Sequence, residues 1–228
     1  MVDYRRTVTS APGPLLASGR AADVHDQGDG TVLRRYKHDH DVEHEVAVMR
    51  WVAEAGYPVP RVVSGSGRDI VMERIDGPTM LDDIGRRRWM LVAHARTLAQ
   101  LHHQLHRLMA PDWLRRPDGT PEGRAVLHLD LHPLNVLITP DGPVVIDWTN
   151  AARGEPSFDA AMTVALIESY EIDSRFERMG RWVLLRSYEL AYGRRAVSDQ
   201  LDTARRRRLA DANTTEAERS LLRRRLGD

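Results

Sequence analysis

His128-Leu-Asp130-Leu-His132-Pro-Leu-Asn135-Val-Leu-Ile138, with Ile146-Asp147-Trp148 placing Asp147 twelve residues after Asn135, decides how this chain is read. Val136-Leu-Ile138 and Val144-Val-Ile146 are short β-branched runs that read as the two strands of a hairpin. Such a hairpin brings Asn135 and Asp147 to the same end, an amide oxygen and a carboxylate facing one space. Asp130 stands just before the first strand, separated from Asn135 by a turn that contains Pro133.

Magnesium takes hard oxygen ligands and completes its shell with water or phosphate oxygens, so Asn135 and Asp147 are candidate metal ligands. Asp130 is then left to accept a proton from an attacking hydroxyl. This layout suits phosphoryl transfer, in which catalysis is mainly positioning and charge neutralisation. His128, Asp130 and His132 alternate, and alone they would also fit three metal ligands on a strand face, as in a metallohydrolase. The Pro133 turn, Asn135 and the second aspartate weigh toward phosphoryl transfer. Candidate catalytic residues are therefore Asp130 and His128, the histidine as a hydrogen-bonding residue that shapes the loop. His132 fits either reading.

Working outward, the first third of the chain is β-rich. Strands are expected over Pro14–Gly19, Arg20–Val24 and, after a Gly28-Asp-Gly30 turn, Thr31–Tyr36. A helix from about Val42 to Glu54 places Val42, Val46, Met49 and Ala53 on one face, and Gly56 ends it. Pro58 and Pro60 keep the next residues extended, and Asp69–Ile75 reads as another strand, ended by Asp76-Gly-Pro78. Beyond it the pattern is helical. Leu91, Leu98 and Leu105 repeat every seven residues, which predicts one long helix over residues 86 to 108. From Ser157 onward three helices are expected, the last opened by a Thr215/Glu218 capping box. The predicted class is α+β, with a lobe over residues 1–76 and a mainly helical one over residues 77–228.

Composition excludes several alternatives. There are no cysteines, so disulfides, zinc–thiolate sites and thiol nucleophiles are absent. Formal net charge is zero, which gives no reason to expect nucleic acid as a partner. No apolar run approaches the ~18 residues of a membrane span. Met1–Ser10 is polar and shows no signal-peptide core, so a cytoplasmic location is the expectation.

Together these segments resemble the aminoglycoside phosphotransferase and choline kinase superfamily, whose loop reads H-G-D-x-H-x-x-N followed by I-D-W or I-D-F. Leu129 stands where that pattern has glycine. Gly56-Tyr-Pro-Val-Pro-Arg-Val62 is similar to the family's G-x-P-V-P-x-V segment, and Gly154-Glu-Pro-Ser-Phe-Asp159 to its G-x-P-x-x-D element. The resemblance covers residues 18 to 160. It implies a two-lobed protein-kinase-like fold, ATP and Mg2+ as cofactors, and a small-molecule alcohol as acceptor. It also implies that Asp159 braces the catalytic loop, and that adenine meets the backbone at Glu73 to Ile75, with Met72 behind it. Ser18 and Gly19 would belong to the phosphate-covering loop.

The family places a cation on its third strand, paired with a glutamate on the following helix. Arg34 lies two positions from Val32 on one strand face, whereas the lone lysine, Lys37, has the opposite parity. Arg34 is therefore preferred over Lys37, with Glu45 as partner and Glu43 as rival. Glu155, Asp159, Glu168, Glu171 and Asp173 would suit a cationic acceptor, but the tail from Arg205 carries eight arginines against four acids. Two alternatives remain open in the sequence, a catalytically silent nucleotide-binding regulator and a protein kinase. The second lacks room, because Gly154-Glu-Pro-Ser arrives about seven residues after Asp147.

Overall fold

A computed structural model describes residues 12–227; the polar segment Met1–Ser10 lies outside them. The chain divides into two compact units. One runs up to Gly77 and takes in Thr139–Thr149; the other comprises Pro78–Ile138 and the residues from Asn150 on.

The first unit is built on a five-stranded antiparallel sheet in the order β1-β2-β3-β5-β4. Its strands are β1 (Leu15–Ser18), β2 (Ala22–Asp26), β3 (Thr31–Tyr36), β4 (Val62–Ser66) and β5 (Asp69–Glu73). Strand β3 is central, and its register sets Arg34 opposite Val24 on one side and Ile70 on the other. Side chains alternate across a sheet, so Val32, Arg34 and Tyr36 share one face with Met72, the partner of Val32. Helix α1 (Glu43–Glu54) buries Glu45, Val46, Val48, Met49 and Val52. It approaches β4 so closely that a Cβ on Gly65 would lie 2.5 Å from Val46 Cγ2, which only glycine avoids. The Thr139–Thr149 segment joins this unit through Trp148, fully buried and edge-on to Tyr57, and through Val145 N–H, which donates to Pro58 O.

The second unit is helical, with α2 (Met80–Arg86), α3 (Leu91–His106), α4 (Pro156–Ser169), α5 (Arg175–Tyr192), α6 (Arg194–Ala210) and α7 (Glu216–Leu226). Helix α4 is buried almost throughout, Asp159 and Thr163 included, as expected of a helix with neighbours on every side. It packs on α6, while α3 packs on α5. A short antiparallel pair, β6 (Ala125–Leu127) with β9 (Ala152–Gly154), lies beside them. Strands β7 (Val136–Thr139) and β8 (Gly142–Val145) form a two-stranded sheet.

The α+β class is borne out, and several local expectations are corrected. Four helices, not three, occupy the chain from Pro156 onward. The single helix expected over residues 86 to 108 is α2, a 3-10 turn at Arg88–Met90 and α3. The break has a polar cause: buried Asp83 accepts from Arg87 Nε (2.9 Å) and lies 2.6 Å from His94 Nε2, tying the end of one helix to the start of the next. Strands β4, β6 and β9 were not expected, and the β5 ladder ends at Glu73 instead of Ile75. The capping box is present, with Thr215 and Glu218 each bonded to the other's backbone N–H.

Candidate active site

The His128–Asn135 loop leaves β6 and ends in a 3-10 turn, Pro133–Asn135, that leads into β7. Each histidine of the alternating set turns a ring nitrogen to backbone: Asp130 N–H donates to His128 Nδ1 and Leu134 N–H to His132 Nδ1, both at 3.3 Å. His128 is fully buried, and His132 nearly so. These rings shape the turn instead of converging with Asp130 on one point, and the metallohydrolase arrangement is not formed.

Asn135 donates its side-chain amide to Asp130 twice, to the backbone oxygen at 2.9 Å and to Oδ2 at 3.0 Å. The same nitrogen lies 3.4 Å from His132 Nε2, so the amide turns its nitrogen to this loop and leaves its oxygen as a hard acceptor. Asp130 is only partly buried, with 24% of its side chain exposed, and His132 Nε2 lies 3.7 Å from its Oδ1.

Behind this loop Asp159, fully buried on α4, accepts the N–H of His128 at Oδ2 (2.9 Å) and of Leu129 at Oδ1 (2.7 Å). Burial opposes its charge, but the hydrogen bond from His106, the neighbouring imidazoles and these backbone donors outweigh it and hold the carboxyl below its ordinary range. Leu129 has φ 63°, a left-handed conformation that costs a residue with Cβ about 1–2 kcal/mol. This is the position at which the similar loops carry glycine.

In the other unit Arg34 is buried between two acids. Its Nη1 donates to Glu45 Oε1 at 2.6 Å and its Nη2 to Asp147 Oδ1 at 2.8 Å. Desolvation works against the guanidinium charge, yet Asp147 and Glu45 together raise its pKa above the ordinary value. Tyr36 Oη donates to Glu45 Oε2 at 2.6 Å and lies 2.7 Å from Thr149 Oγ1, which is itself 2.8 Å from Asp147 Oδ1. Two hydroxyl protons serve these three contacts, so Thr149 is shared between Tyr36 and Asp147. Asp147 has φ 66° and lies two residues past β8. The sequence reading missed Tyr36 and Thr149; the signal available was parity, since Tyr36 shares the strand face of Arg34.

The remaining candidates fall in two places. Lys37 Nζ donates to Ser18 Oγ (3.0 Å) and Gly19 O (2.7 Å) and pairs with Asp23 at 3.3 Å, so it meets the β1–β2 turn and not Glu45. Met72 is buried on β5; Glu73 is exposed and accepts from Arg61 N–H, and Ile75 is half-buried beyond the strand. Glu43, the rival of Glu45, is exposed in the first turn of α1. Of the acids considered for a cationic acceptor, Asp159 is committed to the brace, and Glu168 is held by Arg205 at 2.8 Å. Among the described residues no helix is long and apolar enough to cross a membrane.

Comparison with known proteins assigns this architecture to a class. Solved structures that resemble it include a gentamicin–APH(2")-IIa complex, with a TM-score of 0.67, 16% identity, and 91% of this chain and 89% of that one covered. Another is a choline/ethanolamine kinase family protein from Mesorhizobium loti, with a TM-score of 0.59, 19% identity, and 94% and 86% covered. An ethanolamine kinase from Plasmodium vivax matches with a TM-score of 0.61 at 12% identity, covering 91% and 79%. Comparison with curated proteins finds no match. The fold is kinase-like, and the protein is a phosphotransferase enzyme. A model of the phosphotransferase enzyme family, APH, matches residues 15–124 and 104–198, and the chain belongs to that family.

Proposed function

We propose that the enzyme transfers the γ-phosphate of ATP to a hydroxyl of a small molecule, with Asp130 as the catalytic base. The observation that carries this reading is the coupling of Asp130 to Asn135. One amide side chain orients the carboxylate and presents its own oxygen elsewhere, as a base and a separate metal ligand require. Structures of the same fold include a streptomycin–ATP–APH(2")-IIa ternary complex, which supports ATP and a small-molecule substrate.

In this reading Asp147 and Asn135 hold Mg2+. The donor set fits: a carboxylate with 37% of its side chain exposed and an amide oxygen turned away from Asp130 are hard ligands, and phosphate oxygens would complete the shell. The metal supplies charge neutralisation on the phosphates. Arg34, fixed by Glu45, adds a second cation, and Ser18 and Gly19, tied by Lys37, cover the phosphates. The backbone from Glu73 to Ile75 receives the adenine, with Met72 behind it. In this reading the nucleotide-binding lobe is residues 1–76, with Thr139–Thr149 grouped to that unit, and the remainder of 77–228 is the catalytic and acceptor-binding lobe. His128 holds the N–H of Asp130, while Asp130 orients the acceptor hydroxyl and takes its proton. The enzyme works in the cytoplasm on a small alcohol.

A thermal-shift series tests the metal assignment. ATP is expected to stabilise the protein much more with magnesium than with a chelator, because a ligand bound by the folded state raises stability by RT ln(1 + L/Kd), with L its free concentration, and loss of the metal raises Kd. Equal shifts in both conditions would remove Asn135 and Asp147 as ligands.

A further inference from the structure

The brace on the catalytic loop continues beyond Asp159. His106, near the end of α3, places Nε2 3.0 Å from Asp159 Oδ2 and Nδ1 3.1 Å from the hydroxyl of Tyr192, the last residue of α5. The His106 side chain is almost fully buried, and the Tyr192 ring stands at 89° to it while stacking flat on His103 at 4.7 Å. Burial, and then the charge of Asp159, push the Tyr192 phenol above its ordinary range, so it keeps its proton at neutral pH. With the phenol donating to Nδ1, the ring N–H lies on Nε2, aimed at Asp159. Oδ2 of that carboxylate then accepts from both His106 and the His128 amide, and Oδ1 from the Leu129 amide.

We infer that His106 and Tyr192 are positioning residues for phosphoryl transfer: they fix the Asp159 carboxylate, which holds the left-handed turn at Leu129 and so directs Asp130. The inference rests on the reading of Asp130 as the base. Leu129 is the weak point such a device would address. Its backbone conformation suits glycine, and the N–H bond to Asp159 is what opposes its relaxation toward an ordinary φ. Neither His106 nor Tyr192 touches the reacting atoms in this scheme. A merely space-filling histidine would need no donor at Nε2 and no phenol at Nδ1.

The test compares His106→Leu, His106→Gln and Tyr192→Phe in the full chain, using amide hydrogen exchange at Leu129 and magnesium-dependent ATP hydrolysis with water as acceptor. His106→Leu is expected to speed Leu129 exchange about tenfold or more and to lower kcat to a similar extent, with KM for ATP changed less than about twofold. His106→Gln keeps an N–H at nearly the same reach and is expected to recover most of both. Tyr192→Phe, which deletes one hydroxyl, is expected to fall between them, and it carries the test if His106→Leu does not fold. Unchanged Leu129 exchange in Tyr192→Phe and His106→Leu, or a glutamine variant as impaired as the leucine one, overturns the inference. Exchange reports the brace without reference to turnover. Fast exchange in these variants combined with normal turnover in Asp130→Asn would therefore overturn the base assignment and leave the brace standing.

Discussion

Arg34 Nη2 lies 2.8 Å from Asp147 Oδ1 while Nη1 of the same guanidinium lies 2.6 Å from Glu45 Oε1. One buried cation thus joins the central strand, helix α1 and the segment that follows β8. A forked, permanently charged group can serve two carboxylates at once, whereas a compact ammonium engages one of them well and the other poorly. That gives a physical reason for arginine at this position.

Removing this group is expected to affect both stability and nucleotide handling. Breaking a buried pair from one side typically costs about 3–5 kcal/mol, because the remaining charges lose their partner. Arg34→Ala is therefore expected to unfold at markedly lower denaturant and, where folded, to show a raised KM for ATP and reduced turnover. Lys37→Ala removes a surface pair with Asp23 and is expected to cost little stability, with a smaller change in KM than Arg34→Ala. Urea unfolding and steady-state ATP kinetics on the two variants check this. The reverse pattern would assign the phosphate cation to Lys37.

Acid sensitivity is expected to begin with His102. It is fully buried on α3, and burial in the first place pushes its pKa down to about 3; Asp159 opposes the shift, and His106 and His128 add to it. The folded-state value lies below the ordinary 6.5, so between about pH 3 and 6.5 the unfolded chain binds one more proton than the folded one. Stability then falls as pH falls through that window, by up to about 1.4 kcal/mol per unit from this group. Asp159 acts in the same direction at lower pH, since its depressed carboxyl lets the unfolded chain take up a proton first below the ordinary 3.8. Unfolding free energies measured from pH 7.5 to 4.5 are expected to slope less steeply in His102→Gln by about one proton. Equal slopes would show that His102 titrates normally.

Leu129→Gly separates backbone strain from packing. Glycine relieves about 1–2 kcal/mol of left-handed strain. It also removes a side chain that is only 4% exposed, and truncations of buried leucine typically cost about 2–5 kcal/mol. The net expectation is a loss of about 1–3 kcal/mol in denaturant unfolding, with turnover retained. A stabilised variant would mean that strain outweighs packing at this turn.

The geometry of the His128–Asn135 loop was legible because its parts are local: Pro133, His132 and Asn135 lie within five residues of Asp130. Arg34 was legible through strand parity, and Asp159 through a short motif. Tyr36 was not, because a buried tyrosine beside Val32 reads as core until its hydroxyl is seen on Glu45. His106 and Tyr192 meet across 86 residues, and the leucine repeat that marked α3 says nothing about which histidine faces a carboxylate. The break between α2 and α3 escaped notice for the same reason, since it depends on Asp83 and His94 meeting in the folded chain. Thr79 does cap α2 by accepting from Asp82 N–H, a local signal in the Thr-x-x-Asp spacing that could have placed the start of that helix.

Asp130 and Asp147 are expected to fail in different ways. Asp130 is held by Asn135 through its own Oδ2 and backbone oxygen, and in the proposed reaction it carries no metal. Its substitution is then expected to affect chemistry and not nucleotide binding. Loose phosphoryl-transfer transition states need little base strength, so orienting the hydroxyl forms a large part of its contribution. Loss of a general base typically costs ~10²–10⁴-fold in rate, or about 3–5 kcal/mol at roughly 1.36 kcal/mol per decade. Asp130→Asn is expected to keep near-normal ATP–magnesium affinity and to lose at least about a hundredfold in turnover. Asp147→Asn removes a carboxylate that faces both Arg34 and the proposed metal, and is expected to lose metal-dependent ATP binding as well. Titration calorimetry with ATP and magnesium, beside hydrolysis rates or acceptor turnover, distinguishes the two. Normal turnover in Asp130→Asn would place the chemistry elsewhere, and normal magnesium-dependent binding in Asp147→Asn would remove that carboxylate as a metal ligand.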